Sequence, residues 1–288
     1  MANVRVGVLV LPECPYPELV RRWQQTETMG FDQVWTCDHL LNPFRPSELW
    51  FEGVASLAAL AATTSTIRIG SLVFSMTLRD PAVLARAAVT VDHISGGRVE
   101  LAVGAAGAPL DHDLTGVPAW PPSERARRFG AWTRRLVDVL EQGGPGGLGP
   151  RPVQDHIPLT VAAHGSRSLE VAARYADVWN GFGPRDAAWS AVVSWFREMG
   201  RRLDERLAAR GRDPAAVRRS ALLDLFPTTT WRTVAEFEDR VGALVDVGVT
   251  DVVTYWPTPT LPATVERGVG ALEAVAHQAL PRRAGFRR

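Results

Sequence analysis

The stretch 66-TIRIGSLVFSMTLRDPAVLARAAVTVDHISGGRVELAVG-104 decides the fold. Residues 67–73 (Ile-Arg-Ile-Gly-Ser-Leu-Val) are a mostly apolar run with branched side chains, read as a buried strand. Residues 81–94 read as a helix with proline in its first turn. Ser95-Gly96-Gly97 closes that helix, and 99–103 is a second apolar strand. After Val73 the chain does not turn at once: Phe74-Ser75-Met76-Thr77-Leu78-Arg79-Asp80 intervene before Pro81. A ligand is expected at that strand end.

The same alternation extends in both directions. Toward the N-terminus, 4–10 and 32–36 read as strands, and 18–29 (closed by Gly30) and 51–65 as helices. Toward the C-terminus, strands are expected at 159–163, 176–181, 219–225 and 251–255. Helices are expected at 123–141, 168–175, 187–210, 233–247 and 263–277. Residues 109–123 and 143–152 read as loops. Eight strands, each followed by a helix, favour a closed (β/α)8 TIM barrel in a chain of this length. An open doubly wound sheet is the competing architecture, but no G-x-G-x-x-G follows the first strand. No break in composition divides the chain, so 1–280 is expected to be a single barrel domain, with 281–288 a disordered arginine-rich tail.

Composition narrows the chemistry. The formal net charge of the 288 residues is +1, which argues against an extended nucleic-acid-binding surface. All 32 basic residues are arginine. Without lysine there is no Schiff-base chemistry and no P-loop lysine. Cys14 and Cys37 are too few for a disulfide framework, and a reduced state is expected. No leader-like segment precedes the first strand and no apolar run reaches about 18 residues, so the expected setting is the cytoplasm, without a membrane partner.

In a closed α/β barrel, ligands sit at the C-terminal ends of the strands. The turn Ala163-His164-Gly165-Ser166-Arg167-Ser168 suits an anion: small residues permit close backbone approach, Ser166 can cap the helix that follows, and Arg167 adds charge. An ordinary capped turn would look the same. Asp38-His39, after the second strand, is the best chemical pair, because histidine exchanges protons near neutral pH. Asp111-His112-Asp113 resembles a metal set, but barrel metal sites draw ligands from several strand ends, so no metal is expected. Glu13 follows the first strand. Phe44, Trp50, Phe51, Phe74, Trp120, Phe182 and Trp256 fall at strand ends or in the loops beyond them, where they would form a pocket for an apolar or aromatic organic substrate; core packing claims some of them.

As a set, these residues resemble the luciferase-like monooxygenase superfamily. The resemblance is carried by 30-GFDQVWTCDH-39, Arg68-Ile69-Gly70, Arg79-Asp80-Pro81, 92-DHISGGR-98, 158-PLTVAAHG-165 and 172-AARYADVWN-180. It covers roughly 4–182; beyond that the match is in outline only. It implies a (β/α)8 barrel that binds reduced FMN or the deazaflavin coenzyme F420. It implies a non-prolyl cis bond at Leu72–Val73 backing the cofactor ring, with Gly104, Ala105, Ala106 and Gly107 lining the ring. Ala163 through Arg167 would hold the ribityl chain and phosphate. His39 would be the proton-handling residue, with Asp38 orienting it or polarising the ring. The sugar-phosphate dehydrogenase branch has a glutamate after its fourth strand where this chain has Gly107, and its phosphate-binding lysines cannot exist here, so that substrate is not expected.

The favoured expectation is an F420-dependent oxidoreductase that moves a hydride between deazaflavin C5 and a small organic substrate. The alternatives are a two-component monooxygenase using reduced FMN and oxygen, and a non-catalytic flavin-binding subunit. A separate reductase supplying reduced cofactor, and a homodimer, are implied by the resemblance alone.

Overall fold

The computed structural model describes residues 4–105, 108–142 and 149–285. The nine strands described are all parallel: β1 (Arg5–Leu9), β2 (Gln33–Thr36), β3 (Arg68–Ser71), β4 (Phe74–Ser75), β5 (Leu101–Gly104), β6 (Leu159–Ala162), β7 (Val178–Gly181), β8 (Arg218–Leu222) and β9 (Asp251–Tyr255). The sheet order is β3-β2-β1-β9-β8-β7-β6-β5-β4. Its two ends, β3 and β4, are halves of one strand broken at a cis Leu72–Val73 bond. A parallel bridge between Ile69 and Val99 joins the lower half to the chain entering β5, with Ile69 N–H donating to Arg98 O at 3.0 Å. The ring is therefore nearly closed, with eight strand positions as in a (β/α)8 barrel.

Helices cover the outside: α1 (Tyr16–Thr28), α2 (Gly53–Thr63), α3 (Pro81–Ser95), α4 (Pro109–Thr115), α5 (Pro122–Gln142), α6 (Ser166–Tyr175), α7 (Trp189–Ala208), α8 (Val234–Val245) and α9 (Pro262–Gln278). Local chemistry sets several boundaries. Asp80 Oδ1 accepts from Ala82 N–H at 2.8 Å, Pro81 opens α3, and Gly96 in the left-handed region ends it. Much of the 92-DHISGGR-98 motif is scaffolding. Buried Arg98 donates to the carbonyls of Ala61 in the last turn of α2 and of Thr64 and Ile67 beyond it, and Asp92 accepts from the amides of Val153 and Gln154.

Two apolar layers result. The larger lies between strands and helices and includes Val6, Val8, Trp23, Phe74, Trp179, Phe196, Trp231 and Trp256. The smaller fills the barrel: Leu9, Trp35, Leu72, Ala102, Leu222, Val253 and Tyr255. Below it, charge closes the N-terminal end. Arg5 donates to Glu100 Oε1 and to Asp251 Oδ1, both at 2.7 Å, and Gln33, Arg68 and Arg218 complete the network. Burial alone would raise the Glu100 pKa, but Arg5, Arg218 and Arg68 hold it below the usual carboxylate range. With that end plugged, the C-terminal rim is where the barrel can take a ligand.

Three expectations change. Residues 109–115 form a helix where a loop was expected, because Pro109 opens the turn and Gly116 closes it. Helix α6 begins at Ser166, with Gly165 as its cap, so Ser166 is not the capping residue; Ser168 takes that part, bonding Gly165 N at 3.2 Å. The expected disordered tail begins in a 3-10 helix, Leu280–Gly285, where Arg282 pairs with Glu238; 286–288 lie outside the described residues.

Candidate active site

The rim above β2 carries Asp38 and His39, the residues expected to do the chemistry. Leu72 N–H donates to Thr36 O at 2.9 Å, which fixes the end of β2 beside the broken strand. His39 follows, and its Nδ1 bonds Asp111 Oδ2 at 2.7 Å. Asp111, at the first turn of α4 and 1 % exposed, also accepts from Leu40 N–H and Ala108 N–H, both at 2.9 Å. Burial would raise the Asp111 pKa, but these donors hold it below the usual range. Burial would likewise lower His39; the Cys37 sulfur and Asp111 outweigh it and raise the imidazole pKa to about 10. His39 is therefore an imidazolium at neutral pH, with one nitrogen committed to Asp111. Trp50 Nε1 donates to His39 O at 2.8 Å and lays its ring beside the imidazole.

Asp38 points elsewhere. Arg79 grips its carboxylate at 2.5 and 2.8 Å, and Ser75 N–H reaches it at 3.2 Å. A Cβ on Gly53 would stand 2.4 Å from Asp38 Oδ1, so glycine is required where α2 starts. Asp38 thus ties β2 to the segment after the broken strand, and Asp111 is the residue that orients His39.

A cavity of about 640 Å³ opens beside the cis bulge. Val73, Gly104, Ala105 and Ala162 floor it; His164 and Phe182 form one wall, and Gly165, Ser166 and Arg167 form its far end. A Cβ on Gly104 would meet Val73 Cγ2 at 2.6 Å, so the bulge packs against bare backbone. The His164 ring lies 3.8 Å from the Phe182 ring centre. Burial lowers the His164 pKa to about 4, so this ring is neutral, and its buried Nε2 has no partner among the described residues. The α6 N-terminus presents backbone N–H groups and the positive end of the helix dipole at the same place.

A phosphorylated tricyclic coenzyme fits this arrangement. A flat ring can lie over the bulge and Gly104, an anion can sit at Ser166–Arg167, and the unpartnered His164 nitrogen can take a polar atom. Of the expected cofactor residues, Val73, Gly104, Ala105, His164, Gly165, Ser166 and Arg167 line the cavity. Leu72 is buried in the barrel interior, Ala163 is 1 % exposed in the outer layer, and Ala106 and Gly107 lie outside the described residues.

The expected substrate residues divide. Phe182 lines the cavity and Trp50 lies at His39. Glu13 joins Asn42, Thr258 and Thr260 in a polar cluster bridging the loops after β1, β2 and β9. Phe74 and Trp256 are core residues of the outer layer, and Phe51 packs edge-on against Tyr16. Trp120 lies under Arg128, and Phe44 is 60 % exposed on its loop. The cavity brings together none of these six. Asp111, Arg79 and Cys37 are the rim residues that sequence reasoning passed over. Asp111 stood in a segment read only as a metal set, and the Asp38–Arg79 contact joins two motifs that were each noted separately.

Among the described residues there is no group of three or more metal-ligating side chains, and no helix is long and apolar enough to cross a membrane.

Comparison with known proteins gives a consistent picture. A family model described as luciferase-like monooxygenase matches residues 2–246. A 5,10-methylenetetrahydromethanopterin reductase of Methanopyrus kandleri is 30% identical over 233 residues, 71% of this chain and 64% of that protein. Two solved structures share the fold. An F420-dependent secondary alcohol dehydrogenase, in complex with an F420-acetone adduct, superposes with a TM-score of 0.75 at 16% identity, covering 95% of this chain and 99% of that one. A long-chain alkane monooxygenase superposes at 0.74 and 13% identity, covering 100% and 93%.

Proposed function

Because the chain belongs to the luciferase-like monooxygenase family, we propose that it is an F420-dependent oxidoreductase acting on a small apolar or aromatic organic substrate. Reduced deazaflavin supplies a hydride from C5 when bound. The protein contributes position and protons. Val73 and Gly104 support the ring, Phe182 and His164 wall it, and Ser166 and Arg167 hold the phosphate. His39 carries a proton on the nitrogen that Asp111 leaves free, available to a substrate oxygen or nitrogen as the hydride arrives. Asp111 keeps that ring charged and oriented, and Trp50 shields it from one side.

The observation that carries this reading is the His39–Asp111 pair standing on the same rim as the cavity, with a proton to give at neutral pH. The competing reading uses reduced FMN and oxygen and needs water excluded by a lid. The connection from β8 to α8 carries only the 3-10 turn Pro227–Thr229 and no long lid of that kind. A separate reductase that recycles the cofactor, and a homodimer, belong to the same proposal.

The test is His39→Ala in a preparation that turns over, with cofactor affinity measured apart from rate. Turnover is expected to fall about 10²–10⁴-fold, the usual worth of a positioned acid, while affinity stays within about twofold. A variant with undiminished turnover contradicts the assignment, and a wild type that binds cofactor without turnover supports a binding subunit instead.

A further inference from the structure

Two free thiols stand near the C-terminal rim, Cys14 after β1 and Cys37 after β2, and the proposed chemistry consumes neither. Cys14 is 8 % exposed and belongs to the outer apolar layer, where burial pushes its thiol up. Cys37 is placed differently. It sits two positions after Trp35, so the alternation of the strand turns both side chains into the barrel. It is half-buried and packs against the inner layer that includes Leu72 and Tyr255. Val73 and Phe182, which line the cavity, pack against that same layer. The thiol and the cavity therefore share the mouth of the barrel.

Cys37 is also part of a constellation. Its side chain hydrogen-bonds the His39 imidazole, and His39 Nδ1 bonds Asp111 Oδ2 at 2.7 Å. Sulfur, imidazole and carboxylate follow one another as nucleophile, base and orienting group. Asp111 is itself fixed by Leu40 N–H and Ala108 N–H, both at 2.9 Å. Those two backbone donors are thereby spent, so neither can serve an acyl oxyanion, and acyl transfer lacks that support. An addition that needs only an activated sulfur and a proton donor fits the residues present. Trp50 packs against the same inner layer, and these apolar surroundings favour an uncharged organic partner.

We propose that Cys37 is a nucleophile toward α,β-unsaturated carbonyl compounds, with His39 as the acid that completes the addition. A C–S bond forms at the β-carbon and the C=C π bond breaks. Its electron pair ends on the α-carbon, which takes the proton that sulfur and imidazole share. The product is a thioether on Cys37. The addition needs no oxidant or reductant and no cofactor takes part, so it goes beyond the deazaflavin reading and stands or falls apart from it.

The experiment is incubation of the full chain, without added cofactor, with 2-cyclohexen-1-one at neutral pH. Adducts at Cys14 and Cys37 are followed by peptide mass spectrometry, with glutathione as the reference thiol. Cys37 is expected to react about tenfold or more faster than glutathione, and Cys14 slower than it. Cys14→Ser is expected to leave labelling of Cys37 unchanged. His39→Gln is expected to remove most of the advantage, and to slow the enone more than iodoacetamide, whose product takes up no proton. Cys37 reacting no faster than glutathione in the wild type overturns the proposal without recourse to any variant. So does an advantage undiminished in a His39→Gln chain that circular dichroism shows to be folded. Equal losses with the two reagents overturn the part given to His39 as the acid.

Discussion

At the scale of single residues, the proposed chemistry rests on one pair, and half of it was legible. His39 stood out because a histidine at a barrel strand end is placed for proton work. Asp111 did not, since it lies 72 residues further on and its segment offered three candidate ligands with nothing to rank them. Only the fold shows that α4 turns its first carboxylate onto the imidazole. The His39 pKa is raised above its unfolded value of about 6.5, to about 10. The charged pair therefore stabilises the rim fully below about pH 6.5, and that contribution is lost as pH rises through 10. Asp111→Asn removes the anion and is expected to lower the histidine pKa by at least about one unit, drawing the alkaline limb of the rate profile down with it. Histidine NMR titration and a pH–rate profile check this. An unmoved limb would assign the raised pKa to Cys37 instead.

At the scale of elements, the order of strands and helices was readable because parallel strands buried on both faces are continuous apolar runs and helices are not. Ends were read less well. The 67–73 run is longer than β3, since the apolar run continues past the residues that pair and through the cis bond. The start of α6 was misplaced because serines at both 166 and 168 can serve a helix N-terminus, and sequence does not say which one faces Gly165. The aromatic residues were the weakest signal. A ring at a strand end can point into the barrel mouth or out beneath a helix, and Phe74 and Trp256 do the latter. The broken strand depends on its neighbour. Gly104→Ala sets a methyl 2.6 Å from Val73 Cγ2, which requires a shift of either the bulge or β5. A loss of about tenfold or more in cofactor affinity is expected, with a stability cost of about 1–3 kcal/mol measurable by denaturant unfolding. Unchanged affinity would mean the bulge does not support the ring.

At the scale of the molecule, the barrel is closed below by charge and open above. Arg5, Glu100 and Asp251 fill the N-terminal end, the apolar inner layer stacks over them, and the rim has Asp38–Arg79 as a brace, the His39–Asp111 pair, and the α6 N-terminus at the far end of the cavity, the proposed anion site. The absence of lysine, visible at once in the sequence, means every cationic contact on this rim is a guanidinium or an imidazolium, suited to fixed, bidentate recognition. What sequence could not supply was the cavity on this rim, since that depends on how the bulge, β5 and α6 lie against one another. The central claim is that this rim is made for a deazaflavin. Its most direct test is titration of the purified chain with F420 and, separately, with FMN, followed by fluorescence quenching. Micromolar binding of F420 with FMN at least about tenfold weaker is the predicted result; tight binding of FMN with none of F420 would contradict it.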